Sequence, residues 1–395
     1  LTLYNNSMYF LENEANEIVS SYGHGMIKSN PELKYVAVVQ DEKRVLKDNF
    51  YIELGIKNNN SGTASENFIE PVRLQSLNEI KANCEIHLKS SIQSAQRKGF
   101  LKNLSLQTPI NLHSNKVGEL ASLHFKDLRV RPMVGGLEIS GSARRNLRGT
   151  LGAFLTLGSD DSGVYFITNY HNVADFPLKK NSYVFQPNDK CYDFTNYVGE
   201  VYFGQYGSHK NSRFDLDVAF VKLNNNFVKA QRASEHEGLF TNGSVLDRSK
   251  SNEMPFLSGI TSPKIGMEVK MNGKSTGNNR KTGVIRSINA TVEVKNPYFK
   301  KNKKLDKDSI CNNEYTIFKE QLLISKANPG DDASFSRSGD SGSVLVKEST
   351  NEVVGLIHAG DSLNITIANN IKHIFMNKYP ASGMIQKITF NKFIT

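Results

Sequence analysis

The chain has 395 residues, of which 38% are hydrophobic and 22% charged, ordinary values for a globular protein long enough for two or three domains. It has no run of about 18 apolar residues, so no membrane-spanning helix is expected. Residues 1–20 lack a basic segment ahead of an apolar core and are not expected to be a signal peptide. The net charge of +10 would suit an anionic partner. Yet the main basic cluster, KNPYFKKNKKLDKD at 295–308, has no helix or strand period and reads as a solvated loop rather than a nucleic-acid patch. Arg144, Arg145 and Arg148 lie in a polar connector and read the same way. Neither a membrane nor a nucleic acid is therefore expected as a partner. Cys84, Cys191 and Cys311 are odd in number, far apart and without CxxC spacing. A disulfide framework and a zinc site are not expected, nor is any other metal or cofactor, and a reducing, cytoplasmic compartment fits.

In chain order, FLENEANEIVSSY (10–22) predicts a short amphipathic helix, and KYVAVVQ (34–40) and FYIELGIK (50–57) predict strands. VRLQSLNEIKAN (72–83) is weakly helical and CEIHLK (84–89) strand-like. From about 150 the texture changes. Short β-branched and aromatic runs recur, among them VYFITNY, LDVAFVKL, TIFKEQLLIS, GSVLVK and EVVGLIH, separated by Gly, Asn, Asp or Pro. Such spacing predicts an all-β sandwich or barrel. One helix is expected late, over 366–379, from the spacing of Ile367, Ile371, Ile374 and Phe375. The two textures meet near RVRPMVGG, 129–136. This gives an N-terminal α/β domain over 1–130, regulatory or substrate-recognising, and a β domain over 131–395.

Three stretches carry chemistry. Gly339-Asp340-Ser341-Gly342-Ser343 precedes the apolar run 344–346. It is either a polar turn or a nucleophile loop, because Gly, Asp and Ser are turn formers in their own right. A serine needs a base within hydrogen-bond reach and a third group to orient that base. His171, in VYFITNYHNVAD, follows an apolar strand closely enough to be presented at its end. Asp217 heads the apolar run of NSRFDLDVAFVKLN, where a buried carboxylate needs a partner; Asp215 is the rival two residues earlier. The order His171, Asp217, Ser341 is the chain order of one of the known triad types, and it answers the question in favour of a nucleophile.

These motifs make residues 131–379 resemble a trypsin-like serine protease of the chymotrypsin fold. FITNYHNVA resembles the family's histidine motif, although Asn169 and Tyr170 replace the usual small residues. DVAFVKL resembles its aspartate motif, SGDSGSVLV its serine motif, and VVGLIHAG the strand lining its cleft. Arg131-Pro132 with Gly135-Gly136, then GTLGA (149–153), then Gly273-Lys274-Ser275-Thr276-Gly277 with Gly283-Val284, are similar to a bacterial intracellular branch that carries a small N-terminal α/β region.

The resemblance implies a mainly β chain, a double six-stranded β-barrel with a C-terminal helix, preceded by the small α/β domain. It implies a serine endopeptidase with the triad His171, Asp217 and Ser341, and an oxyanion hole from the N–H groups of Gly339 and Ser341. It implies a substrate pocket from Phe335, Ser336, His358, Ala359 and Gly360. A phenyl ring at 335 favours a small or apolar residue before the cut bond; Asp331, Asp332 and Asp361 are the alternative, for a basic one. Asp340 is expected to pair with an internal Arg or Lys rather than with an N-terminus processed at MVGG. A dedicated protein substrate, an activating partner or ligand, and a setting in bacterial defence complete the expectation. The competing reading is a protease-like scaffold that binds peptide without cutting.

Overall fold

A computed structural model describes the helical residues 16, 19–20, 23–25 and 27–28, then 33–40 and 50–56. From the joint onward it describes 133–142, 147–158, 163–187, 196–210, 212–224, 240–241, 257–276, 282–299, 310–327, 334–360, 365–381, 384–387 and 390–393. The readings made for 72–89, the Arg131–Pro132 joint, Arg144 and Arg145, Cys84 and Cys191, the lysines of 300–308, and Asp331, Asp332 and Asp361 lie outside these residues.

The chain is mainly β, in two curled sheets that match a chymotrypsin-like double barrel. The first sheet is built from β4 (Glu138–Gly141), β5 (Gly149–Thr150), β6 (Phe154–Leu157), β7 (Tyr165–Thr168), β8 (Tyr183–Phe185), β9 (Tyr197–Gly207) and β10 (Leu216–Leu223), with β21 (Phe390–Phe393) returning from the far end. Its order is β21-β6-β7-β10-β9-β8-β4-β5. The second runs β13 (Glu268–Met271), β16 (Val344–Lys347), β17 (Glu352–Gly360), β18 (Thr366–Asn370), β15 (Tyr315–Lys326) and β14 (Gly283–Lys295). It closes on itself where β14 pairs with β13, which makes a six-stranded barrel. Off that barrel, β12 (Gly259–Ile260) pairs with β17, β3 (Met133–Val134) with β11 (Phe240–Thr241), and β19 (Lys378–Ala381) with β20 (Met384–Lys387). Closure removes the open edges that a flat sheet would expose.

Period-two alternation explains why β10 is buried on both faces. Leu216, Val218 and Phe220 join one apolar cluster, while Ala219, Val221 and Leu223 join the cluster that holds Leu151, Phe154 and Phe166. The interior of the second barrel is Val269, Ile285, Leu322, Ile324, Leu345, Val354 and Ile357.

Two expectations change. The late helix shrinks to α2 (Ile371–Met376), following α1 (Tyr170–Val173), because Thr366–Asn370 pair with both β15 and β17 as a strand. Ile367 sits at helical spacing from Ile371 but is β-branched and reaches the core equally well from a strand. Asn370 stops the strand by accepting from the N–H of Lys372 at 2.9 Å, a helix cap.

The strands β1 (Leu33–Gln40) and β2 (Phe50–Ile56) form as expected, but they extend the sheet of the second barrel. β1 pairs antiparallel with β14, Tyr35 opposite Val292, and β2 pairs with β1. Asn289 of β14 donates to the carbonyl of Asn16 and to Ser20 Oγ, at 2.9 and 2.8 Å. The N-terminal residues and the C-terminal barrel therefore share one sheet.

Candidate active site

The site lies between the barrels and takes one half from each. His171 comes from the first. β7 delivers the chain into the single turn of α1, and the ring is buried. Asp217, 1% exposed, is the second residue of β10, the strand paired to β7. Its Oδ1 accepts from the backbone N–H of His171 at 3.2 Å, and its Oδ2 makes a short contact with His171 Nδ1. A carboxylate at Nδ1 fixes the tautomer that leaves Nε2 as the base.

The backbone around Asp217 is fixed as well. Its carbonyl accepts from Asn169 Nδ2 at 2.7 Å and from Asn369 Nδ2 at 3.1 Å, and its N–H donates to Asn369 Oδ1 at 3.1 Å. Asp215 faces elsewhere. Its Oδ2 accepts from the N–H of Lys319 at 3.0 Å, and burial raises its pKa above the usual carboxylate value.

Ser341 comes from the loop ahead of β16. In the present rotamer its Oγ donates to the carbonyl of His358 at 3.4 Å. His171 Nε2 is buried without a hydrogen-bond partner among the described residues.

The peptides of this loop can be accounted for one by one. The Ser338 carbonyl accepts from Ser275 Oγ at 2.5 Å. The Gly339 carbonyl accepts from Thr150 Oγ1 at 2.7 Å, and the Asp340 N–H donates to the Arg337 carbonyl at 3.0 Å. The Asp340 carbonyl accepts from the Ser343 N–H at 3.0 Å. The Ser341 carbonyl accepts from the Thr150 N–H and from Asn172 Nδ2, both at 2.8 Å, and the Gly342 N–H reaches the Ile357 carbonyl at 2.8 Å. The N–H groups of Gly339 and Ser341 have no acceptor among the described residues. These are the two donors that the motif suggested for an oxyanion hole. Gly339 has φ of +97°, a conformation that glycine adopts without strain. At Gly152, where the barrels touch, a Cβ would meet the carbonyls of Ile167 and Gly342 at 2.6 and 2.7 Å.

Asp340 was expected to pair with a cationic side chain; the contacts described for its fully buried carboxylate include three backbone amides. Oδ1 accepts from the N–H of Ser275 and Thr276 at 2.7 and 3.1 Å, and Oδ2 from Arg337 at 2.7 Å. Carboxylates that accept several amide N–H bonds are stabilised in the charged form. Nearby Lys274 turns to the buried Glu138, Nζ to Oε2 at 2.5 Å.

Of the residues expected to line the pocket, His358 touches Ser341, Ala359 and Gly360 follow it in β17, and Ser336 meets the neighbouring strand. Ser336 Oγ lies 2.5 Å from Thr366 Oγ1, and Thr366 is paired with Gly360 across β17 and β18. Ala359 is buried in β17. His358 presents its carbonyl to Ser341, while its ring points inward, Nε2 to Gln321 Oε1 at 3.0 Å. Gln321 gives both amide hydrogens to the carbonyls of Asp215 and Lys319, so its oxygen faces the ring and His358 Nε2 carries the proton. Burial pushes this imidazole down to about 4. Phe335, expected at the floor of the pocket, belongs instead to the core of the second barrel and packs behind Gly283. A ring of that size at a loop base buries more apolar area inward than it could against a solvated cleft.

Sequence reasoning missed Asn172, Asn369, Thr150 and Ser275 as parts of the site. Asn172, Thr150 and Ser275 do stand within the motifs FITNYHNVA, GTLGA and GKSTG, and that is their only signal.

No protein-family profile and no curated protein matches the chain. Three similar solved structures are serine proteases. One is a glutamic-acid-specific protease described as using a histidine triad in substrate binding, with 14% identity over 62% of this chain and 96% of that one, TM-score 0.38. A Nocardiopsis protease shows 18% identity over 61% and 94%, TM-score 0.36. Thermobifida fusca protease A shows 15% over 63% and 98%, TM-score 0.35.

Proposed function

We propose that this chain is a serine endopeptidase that hydrolyses peptide bonds of a protein substrate through an acyl-enzyme. The observation that carries the reading is the buried Asp217–His171 pair set against a serine loop with two unaccepted N–H groups. Ser341 Oγ attacks the scissile carbonyl and gives its proton to His171 Nε2. Asp217 stabilises the resulting imidazolium at Nδ1, and the N–H groups of Gly339 and Ser341 receive the oxyanion. Each such donor is worth roughly 3 kcal/mol in the transition state. The imidazolium then protonates the leaving amine, and water, activated by the same nitrogen, releases the acyl group.

Asp340 is satisfied by amides, which supports a site that needs no processed N-terminus. The cytoplasmic setting rests on the cysteine spacing. The dedicated substrate, an activating partner or ligand, and a role in bacterial defence rest on the family resemblance. A non-cutting, peptide-binding scaffold is the second reading, and the observation on its side is the Ser341 hydroxyl turned to the His358 carbonyl.

A fluorophosphonate probe separates the two readings. Labelling of the wild type at Ser341, absent in Ser341→Ala and suppressed by on the order of 10⁴-fold or more in His171→Ala, supports the peptidase. A folded wild type left unlabelled supports the scaffold. Mapping of new protein termini in cells, wild type against Ser341→Ala, then identifies the substrate.

A further inference from the structure

We infer that Ser275 is a positioning residue for the oxyanion hole: its hydroxyl holds the Ser338–Gly339 peptide with the Gly339 N–H turned toward the reacting carbonyl. The inference rests on the peptidase reading and adds to it the device that keeps the hole formed.

A trans peptide is planar, and its C=O and N–H point in opposite directions. Anchoring the Ser338 carbonyl on the Ser275 side therefore aims the Gly339 N–H to the other side. Neighbouring peptides in the loop are pinned by other groups, the Gly339 carbonyl by Thr150 Oγ1 and the Asp340 N–H by the Arg337 carbonyl. For the Ser338 carbonyl the hold described is the Ser275 hydroxyl. The flanking residue needs the restraint most. Gly339 has no Cβ, so rotation of this peptide meets little steric resistance, and a rotated peptide would place a carbonyl oxygen where the oxyanion must bind. A Cβ built at Gly339 would lie 2.5 Å from Ser275 Oγ, which puts that hydroxyl directly behind the glycine.

Ser275 is itself held firmly. Its N–H and that of Thr276 donate to Asp340 Oδ1, the N–H of Lys274 donates to Thr150 Oγ1 at 3.1 Å, and the Lys274 side chain is tied to Glu138 of β4. The turn thus touches the nucleophile loop three ways: through a carboxylate, through a carbonyl, and through a threonine shared with the first barrel.

Ser275→Ala removes the hydroxyl and keeps the turn's backbone bonds to Asp340. Two measurements on the full chain test it. The first is the rate of fluorophosphonate labelling at Ser341, whose phosphonyl oxygen needs the same donors. The second uses the best-cleaved member of a quenched fluorogenic peptide library, with kcat, KM and inhibition by a peptide boronic acid of the same sequence. The expected result is a labelling rate and a kcat lower by about 10- to 100-fold, short of or equal to the loss of one oxyanion donor. KM should stay within about threefold, the boronic acid should weaken in parallel with kcat, and the melting temperature should hold. A labelling rate and kcat within threefold of the wild type would overturn the inference and leave the peptidase reading intact. So would a loss confined to KM or matched by a fall in melting temperature, since either marks a merely structural serine. A wild type that is not labelled at all removes the peptidase reading and the inference with it.

Discussion

The two barrels hold their halves of the site in different ways. In the first, the working groups are an ionisable pair on adjacent strands, Asp217 on β10 and His171 just past β7, in direct contact. In the second, the working groups are backbone N–H donors and one hydroxyl. Their carbonyl counterparts are fastened by side chains from elsewhere: Thr150 and Asn172 from the first barrel, Ser275 from the turn before β14. The proposed base is thus largely a property of one barrel, whereas the loop of the proposed nucleophile is a property of the contact between two. Damage to the first should be near all-or-none in rate. Damage to the second should be graded, because each fastening is one neutral hydrogen bond among several, worth about 1 kcal/mol net.

The sharpest test of the first half is Asp217→Asn beside Asp215→Asn. The former should lower kcat by roughly 10³- to 10⁴-fold by leaving His171 in the wrong tautomer. The latter should stay within about tenfold, because the Asp215 carboxylate bonds the Lys319 amide and does not reach the imidazole. Equal losses in a fluorogenic peptide assay would mean that contact with the imidazole is not what makes Asp217 matter.

Next in size is a stability effect carried by two imidazoles, the buried His358 and the mostly covered His373 beside Glu320. Burial pushes His358 and His373 from 6.5 to about 4; His373 also lies stacked on Phe214 with ring centroids 4.0 Å apart. Between about pH 6.5 and 4 the unfolded chain binds protons that the folded chain does not, so stability is full above the unfolded value and falls as pH falls through this window. The fall is of order 3 kcal/mol per ring if each reaches its full extent. Urea midpoints measured from pH 7 to pH 4 should decline, and His358→Gln should flatten part of the decline. A midpoint unchanged over this range would contradict two rings held neutral in the fold.

The smallest effect should come from the fastening itself. Asn172→Leu removes the amide that meets the Ser341 carbonyl, which retains its bond from the Thr150 N–H. A drop of about tenfold in kcat, with about 1–2 kcal/mol of stability lost, would mark a graded contribution. A loss as large as that of Asp217→Asn would erase the distinction between the two halves.

His171, Asp217 and Ser341 were legible as site candidates because each stands in a contiguous stretch whose local pattern is itself informative. A strand end presents His171, an apolar run surrounds Asp217, and a Gly-rich turn carries Ser341. Most strands of both barrels were legible for the same reason, their two-residue period and the turn residues between them. What stayed hidden was held by long-range contacts to main-chain atoms, which leave no composition signal. The amides that reach Asp340 come from residues 65 and 64 positions away, a cradle that looks like any polar turn in sequence. Phe335 read as a pocket residue because only its spacing from Ser341 was visible, not the apolar cluster beneath it. The pairing of β1 with β14 was equally invisible, since strand partners some 250 residues apart are chosen by topology rather than by local pattern.

The amide cradle around Asp340 has a kinetic consequence. A loop completed by a freshly cut terminus is switched once and for good. A loop completed by a turn of the same chain assembles whenever its barrel closes and comes apart whenever it opens. Protein unfolded in urea and then diluted should therefore recover its Ser341 chemistry along with its β-sheet signal, with no maturation step, and the return of labelling would clock the closing of the second barrel.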